Sequence, residues 1–176
     1  MPNTVTPKEI EHAIRNVANF PKPGILFKDI TPVLADARLF AGAIDLLTQN
    51  FKPGSIDAVV GIDARGFIFA AAATKLHAGF VPVRKKGKLP YETIEEDYAL
   101  EYGQATVAMH VDALRPGARV LLVDDLLATG GTAAAALSLV EKLGAKVLEV
   151  GFLIELKFLN GRAKLRGQPI RSLVTF

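Results

Sequence analysis

Residues 120–132 read V-L-L-V-D-D-L-L-A-T-G-G-T, and this stretch decides the fold class of the 176-residue chain. Val120–Val123 is an uninterrupted apolar run, as is typical of a strand buried on both faces. Asp124 and Asp125 follow it, and a Thr- and Gly-rich segment then leads into an Ala- and Leu-rich stretch at Ala133–Leu143. A buried strand, a polar turn and a helix in this order indicate one unit of an α/β fold.

The same alternation recurs along most of the chain and predicts a mostly parallel, twisted sheet flanked by helices, in a single domain over residues 1–176. Ligands of such sheets bind beyond the carboxyl ends of the strands, and polar or glycine-rich segments do follow the strand-like runs. Helical character is expected at Gly66–Leu76 as well as at Ala133–Leu143. The predicted strands are 57–62, 80–83, 119–123 and a stretch within 146–156.

Two regions depart from this alternation. Near the N-terminus, Thr6 and Glu9 have the spacing of a capping box, and apolar residues at helical spacing predict a helix that begins at Pro7 and includes Val17. The prolines and glycine of residues 20–24 are expected to end it. Asp36 can cap a second helix that extends to about Asn50. Residues 89–118 carry no helical periodicity, and an excursion of this length indicates a long loop or hairpin that is functional or mobile.

Composition excludes several classes of protein. Cysteine is absent, which excludes disulfides, thiolate metal sites and a cysteine nucleophile, and the three histidines have no metal-binding spacing. A net charge of +3 with 7% aromatic residues does not favour a nucleic-acid-binding protein. Apolar runs are interrupted well before the ~20 residues of a membrane span, and no signal peptide is evident. We therefore expect a cytoplasmic protein that binds neither nucleic acid nor membrane.

The segment from Asp124 to Thr132 has the chemistry to bind a sugar phosphate. The N-terminus of the helix that begins near Ala133 favours a phosphate, and the glycines allow close approach of the backbone. Two carboxylates would repel an isolated phosphate, but they suit ribose hydroxyls or a hydrated Mg²⁺. Phosphate and hydroxyls together describe ribose-5-phosphate. The alternative is a solvated acidic turn before an ordinary helix cap.

This stretch resembles the ribose-phosphate motif of the type I phosphoribosyltransferases, in the form found in the adenine phosphoribosyltransferase family. The resemblance extends from about Phe20 to Leu165. It implies that Asp124 and Asp125 contact the ribose hydroxyls. It also implies that the 5′-phosphate is bound by Ala128, Thr129, Gly130, Gly131 and Thr132.

Two further loops contain residues suited to pyrophosphate. D-A-R-G follows the first predicted strand and R-K-K-G-K follows the second, although either loop alone could be an ordinary charged turn. A guanidinium binds phosphate oxygens in a planar, bidentate manner. The resemblance implies a pyrophosphate site, often with a non-proline cis peptide. The residues it selects are Asp63, Ala64, Arg65, Arg84 and Lys88.

The excursion includes Tyr98-Ala99-Leu100-Glu101-Tyr102-Gly103. The resemblance implies that about 85–110 form a mobile hood, which closes over the reaction and excludes water. Glu101 is then the candidate general acid–base group, exchanging a proton with a purine nitrogen. Alternatively, Glu101 is one more exposed carboxylate in an acidic stretch.

Residues 20–30 read F-P-K-P-G-I-L-F-K-D-I, and their composition alone indicates only an apolar segment. They resemble the adenine-binding part of a small N-terminal hood, expected at about 1–35. The resemblance implies that Phe27 stacks on the base, that the backbone of Leu26 and Lys28 hydrogen-bonds the purine edge, and that Leu156 covers the other face.

Together these resemblances imply transfer of the 5-phosphoribosyl group from phosphoribosyl pyrophosphate to adenine, giving AMP and pyrophosphate. Mg²⁺ would be carried by the substrate, without a dedicated protein ligand, and the protein would be a homodimer. Two alternatives stay open: a transferase for hypoxanthine, guanine or xanthine, and a non-catalytic sensor of phosphoribosyl pyrophosphate.

Overall fold

The computed structural model describes residues 4–99 and 103–176. The chain divides into two compact units, one ending at Leu46 and the other beginning at Leu47. In the described part of the chain, no helix has both the length and the apolar character needed to cross a membrane.

The N-terminal unit begins with helix α1 (Pro7–Ala13), whose N-terminus is capped by the predicted capping box of Thr6 and Glu9. The prediction that this helix continues to Val17 is wrong. Strand β1 (Arg15–Ala18) follows instead and pairs antiparallel with β2 (Leu26–Asp29). Backbone pairing with a distant segment thus overrides the helical spacing of the apolar residues. Helices α2 (Thr31–Ala35) and α3 (Ala37–Thr48) come next.

The predicted cap at Asp36 is confirmed, because its carboxylate accepts the Leu39 N–H at 2.9 Å. Helix α3 ends at Thr48, close to the expected end at Asn50.

Over the described residues, the C-terminal unit contains a seven-stranded sheet of order β5-β6-β4-β3-β7-β8-β9. Strands β4, β3, β7, β8 and β9 run parallel. At the edge, β6 pairs antiparallel with β4, and β5 pairs antiparallel with β6. The predicted α/β class is therefore confirmed. The strands are β3 (Ala58–Ile62), β4 (Gly79–Lys85), β5 (Thr93–Ala99), β6 (Gln104–His110), β7 (Arg119–Leu127), β8 (Lys146–Glu155) and β9 (Ile170–Thr175).

Two elements of this unit differ from the prediction. The excursion at 89–118 contains the β5–β6 hairpin. Strand β9 is a further parallel strand that was not predicted. The helix expected at Gly66–Leu76 is a 3₁₀ helix over Arg65–Ala70 followed by α4 (Ala71–Leu76). Gly66 lies against the middle of β7, where an added Cβ would come within 2.9 Å of the Val123 carbonyl oxygen.

Helix α5 (Gly131–Lys142) packs on the sheet and supplies much of the core of this unit. Its Ala and Leu side chains cover β3 and β7, whose central residues are buried. Val120 to Val123 are fully buried, as expected for a strand covered on both faces. Because β3, β4 and β7 are parallel neighbours, their carboxyl ends meet at one edge of the sheet, and this edge positions the site.

Candidate active site

The loops after β3, β4 and β7 surround a cavity of about 550 Å³ at the carboxyl edge of the sheet. It brings together all the residues predicted for the ribose and pyrophosphate sites, with one from the phosphate loop. Those in its wall are Asp63, Ala64, Arg65, Arg84, Lys88, Asp124, Asp125 and Thr132. The position follows from the topology, since parallel strands deliver their following loops to a common edge.

Cationic and anionic side chains alternate around this cavity. The Arg65 guanidinium forms a salt bridge with the Asp125 carboxylate. Arg84 Nε donates to Asp63 Oδ2 at 3.1 Å, and Arg84 Nη1 donates to the Lys88 carbonyl oxygen at 2.9 Å. The Asp63–Ala64 peptide is cis. The two carboxylates therefore orient both guanidinium groups.

The predicted strand end at residue 123 is wrong, because β7 continues to Leu127 and includes Asp124 and Asp125. The two carboxylates lie in different environments. Asp125 is only 7% exposed, whereas Asp124 is half-buried. Asp124 Oδ1 accepts the Asp125 backbone N–H at 2.8 Å. The pKa of the Asp124 carboxyl is raised well above its usual range. Burial is the largest cause, and the neighbouring charge of Asp125 is the next.

The predicted phosphate loop forms the wall of a second, smaller cavity of about 80 Å³ beside the acidic pair. Helix α5 begins at Gly131, directly after Gly130 with φ +78°. That conformation favours glycine, and it turns the chain so that the first N–H groups of α5 are presented at the end of the loop. The lining residues include Ala128, Thr129, Gly130, Gly131 and Thr132.

The β5–β6 hairpin lies along α5 and reaches the start of that helix. An added Cβ at Gly131 would contact Tyr98 Cδ2 at 3.3 Å and the Ala99 carbonyl oxygen at 3.4 Å. At the other end of α5, Lys142 Nζ donates to the Glu95 carbonyl oxygen at 3.0 Å and to Glu96 Oε2 at 2.5 Å. The hairpin therefore packs closely on the start of α5 and is hydrogen-bonded to its last turn.

Tyr98 lines the main cavity, although it was not among the predicted site residues. The alternation of β5 is the signal that could have revealed it. Ile94, Glu96 and Tyr98 fall on one face at strand spacing, and that face packs on α5 and the core. Glu101, the candidate acid–base group, lies outside the described residues.

The candidates for the base are divided between the two units. Leu26, Phe27 and Lys28 belong to β2 of the N-terminal unit, where Leu26 is 54% exposed. The Phe27 ring packs edge-on against Phe20 with centroids 5.1 Å apart. In the C-terminal unit, Leu156 follows β8, and its N–H donates to the Leu127 carbonyl oxygen at 2.9 Å.

The chain is similar to known proteins over nearly its whole length. The phosphoribosyl transferase domain family matches residues 29–167. The adenine phosphoribosyltransferase of Acidothermus cellulolyticus is 59% identical over 162 residues, which is 92% of either chain.

Solved structures agree with that similarity. The adenine phosphoribosyltransferase of Rhodothermus marinus superposes with a TM-score of 0.91 at 51% identity, covering 97% of this chain and 98% of that one. The enzyme of Saccharomyces cerevisiae, complexed with an imino-altritol bisphosphate and adenine, superposes with a TM-score of 0.90 at 44% identity. The match covers 95% of this chain and 97% of that one. The chain therefore belongs to the phosphoribosyltransferase family, among its adenine phosphoribosyltransferases.

Proposed function

We propose that this chain transfers the 5-phosphoribosyl group of phosphoribosyl pyrophosphate to adenine, giving AMP and pyrophosphate. The observation that carries the proposal is the convergence of an acidic pair, a glycine-rich helix N-terminus and two guanidinium groups at one edge of the sheet. These are the groups that ribose hydroxyls, a 5′-phosphate and a pyrophosphate each require.

The sugar phosphate is proposed to bind between the acidic pair and the phosphate loop. Asp124 and Asp125 accept hydrogen bonds from the ribose hydroxyls, and the N–H groups at the start of α5 donate to the 5′-phosphate. Thr129 and Thr132 add hydroxyl donors. Holding the sugar at both ends places C1′ in a defined position, which lowers the entropic part of the barrier.

The leaving pyrophosphate is proposed to bind Arg65, Arg84, Lys88 and the backbone of Asp63 and Ala64. As the C1′–O bond breaks, positive charge develops on the ribose ring and negative charge on pyrophosphate, and the cations stabilise the latter. Asp63 and Asp125 already accept from Arg84 and Arg65, so we propose that Mg²⁺ arrives on the substrate. When bound there, Mg²⁺ neutralises part of the pyrophosphate charge.

The base is proposed to stack on Phe27, with the backbone of Leu26 and Lys28 at its edge, and Leu156 is proposed as a further adenine-binding residue. These roles rest on family membership. Backbone donors and acceptors distinguish a 6-amino from a 6-oxo purine, because the wrong base places like groups opposite each other. Glu101 is proposed to take the proton from the attacking purine nitrogen as the bond to C1′ forms.

Homodimeric assembly and a cytoplasmic location are proposed on the same family grounds. Size-exclusion chromatography with light scattering distinguishes a dimer from a monomer directly.

A product assay with adenine, hypoxanthine, guanine and xanthine in parallel tests the choice of base. Each reaction contains phosphoribosyl pyrophosphate and Mg²⁺, and nucleotide is separated by chromatography. We expect AMP from adenine and little product from the 6-oxopurines. Product from another base without AMP would reassign the substrate, and no product from any base would favour the sensor.

A further inference from the structure

We infer that Arg162 is a positioning residue for the 5′-phosphate loop, acting through the backbone of Gly161. The inference rests on the proposed function for the identity of the ligand. Its structural basis is a closed chain of contacts among β7, the phosphate loop, Gly161 and β8.

The first link is a close contact between two backbones. An added Cβ at Gly130 would overlap the carbonyl oxygen of Gly161, and an added Cβ at Gly161 would overlap that of Ala128. The same Gly161 Cβ would lie 3.1 Å from the Gly130 nitrogen and 2.9 Å from Leu127 Cδ1. Gly161 therefore forms the rear wall of the phosphate loop.

The second link anchors the residue that follows Gly161. Arg162 Nε and Nη2 donate to Glu155 Oε1 and Oε2 at 2.6 and 2.7 Å, a bidentate pair. Ser172 Oγ donates to Glu155 Oε2 at 2.6 Å, and Glu155 is only 4% exposed. A buried, fully hydrogen-bonded carboxylate of this kind holds its guanidinium in one geometry.

The third link returns to the phosphate loop. Glu155 is the last residue of β8 and is paired with Leu127, the last residue of β7. The phosphate loop begins at the next residue, Ala128. The Arg162–Glu155 pair therefore fixes Gly161 relative to the strand from which the loop emerges, so the loop is supported from behind as well as by its own strand.

The structure offers a matched control pair in the same strand. Glu149 of β8 is 8% exposed. Its carboxylate accepts hydrogen bonds from Arg171 Nε at 2.8 Å and Arg171 Nη2 at 3.3 Å, and a third from Asn50 Nδ2 at 2.9 Å. It repeats the arrangement at Glu155, six residues away and without Gly161 beside it. Loss of either pair should lower Tm by several degrees, because each leaves a buried carboxylate without its partner.

The experiment compares Arg162→Gln with Arg171→Gln, using ribose-5-phosphate as the binding probe in calorimetry together with steady-state kinetics. We expect Arg162→Gln to weaken ribose-5-phosphate binding and raise the KM for phosphoribosyl pyrophosphate by about tenfold, since even a small misplacement of binding groups is costly. The KM for adenine should change by less than about twofold in both variants. Arg171→Gln should leave ribose-5-phosphate binding unchanged.

Two further variants keep the test decisive if Arg162→Gln fails to fold. Arg162→Lys keeps the charge without the bidentate geometry, and we expect intermediate binding. Gly161→Ala inserts a methyl group against Ala128 without touching the ion pair, and we expect binding as weak as in Arg162→Gln. Wild-type affinity in Gly161→Ala, or equal weakening by Arg162→Gln and Arg171→Gln, would overturn the inference.

The same binding experiment separates this inference from the proposed reaction. If the wild-type protein binds ribose-5-phosphate but forms no AMP, the proposed reaction fails, while the comparison of Arg162 with Arg171 still decides the inference. If the wild-type protein binds no ribose-5-phosphate, both fail.

Discussion

Asp124 and Asp125 are neighbours in the sequence, yet their surroundings give the two carboxylates different properties. Asp125 is paired with Arg65, so its charge is compensated inside the site. Burial and the charge of Asp125 raise the pKa of Asp124, which means that the folded protein is penalised for ionising it. A carboxylate kept under such a penalty is better explained by ligand binding than by stability.

Asp124→Asn should therefore stabilise the fold while weakening substrate binding. Because the folded-state pKa is raised, ionised Asp124 lowers the free energy of unfolding as pH rises from the unfolded-state value through the folded-state value. We expect a gain in the free energy of unfolding at neutral pH, which disappears as pH falls below the unfolded-state value of about 3.9. Denaturant unfolding across this range checks the gain, and calorimetry should show weaker binding of ribose-5-phosphate. Reduced stability of the variant at neutral pH would contradict this account.

Glu101→Ala tests the proposed proton transfer. Loss of a general base lowers kcat by about 10²–10⁴-fold but leaves sugar-phosphate contacts intact, so the Kd for ribose-5-phosphate should stay near the wild-type value. Stopped-flow or quenched-flow measurement of AMP formation gives the rate. Glu92→Ala, in the same acidic stretch before β5, is the control. If Glu101→Ala keeps full kcat in both directions of the reaction, Glu101 is not the general acid–base group.

At the scale of elements, helix α5 connects the phosphate loop to the β5–β6 hairpin. At its start, Gly131 leaves room for Tyr98 and Ala99, which an added Cβ would contact. In its last turn, Lys142 binds Glu95 and Glu96. A ligand at the helix N-terminus and the docked hairpin are therefore in contact with the same rigid element.

Lys142→Ala should loosen the hairpin without unfolding the protein. Its partly exposed ion pair contributes less than about 1 kcal/mol to global stability, so Tm should change little. Amide hydrogen exchange should become faster across β5 and β6, because local opening requires less free energy than global unfolding. Lys146→Ala, at the start of β8, is the control, and unchanged exchange in the hairpin of Lys142→Ala would show that this contact does not hold it.

Sequence patterns predicted the elements whose residues are close in the chain. Val120–Val123 and the glycine-rich loop after it indicated a buried strand and a phosphate-binding turn, and the parallel sheet then placed the Asp63 and Arg84 loops beside them. Strand β1 was missed because Val17 continues a helical spacing, and only its pairing with Phe27 shows otherwise. The Arg162–Glu155 pair is local, but its position behind the phosphate loop depends on the register of β7 and β8, which no local motif encodes.

At the scale of the whole molecule, the buried and paired carboxylates set how stability depends on pH. Asp57, just before β3, accepts from the Arg119 backbone N–H at 2.8 Å and from Arg119 Nε at 2.9 Å. Hydrogen bonds from the Arg119 side chain, then from its backbone, lower the pKa of Asp57 far below its usual range. Arg162 likewise lowers the pKa of Glu155.

Asp57→Asn should reduce the acid dependence of global stability. A depressed folded-state pKa contributes stability that is present above the unfolded-state value of about 3.9 and is lost as pH falls towards the folded-state value. The variant should have a Tm several degrees lower at neutral pH and a smaller further loss on acidification. Thermal unfolding from neutral pH to below pH 3.9 checks this, with Asp112→Asn as a control. An unchanged pH profile would show that the Asp57–Arg119 pair contributes nothing to the unfolding equilibrium.

The central claim is that one edge of the sheet binds phosphoribosyl pyrophosphate and moves its sugar to a base. The most direct test is simultaneous measurement of AMP and pyrophosphate formed from adenine, phosphoribosyl pyrophosphate and Mg²⁺ by the wild-type protein. We expect both products to appear in equal amounts and neither to form when adenine is omitted. Binding of phosphoribosyl pyrophosphate without formation of either product would contradict it.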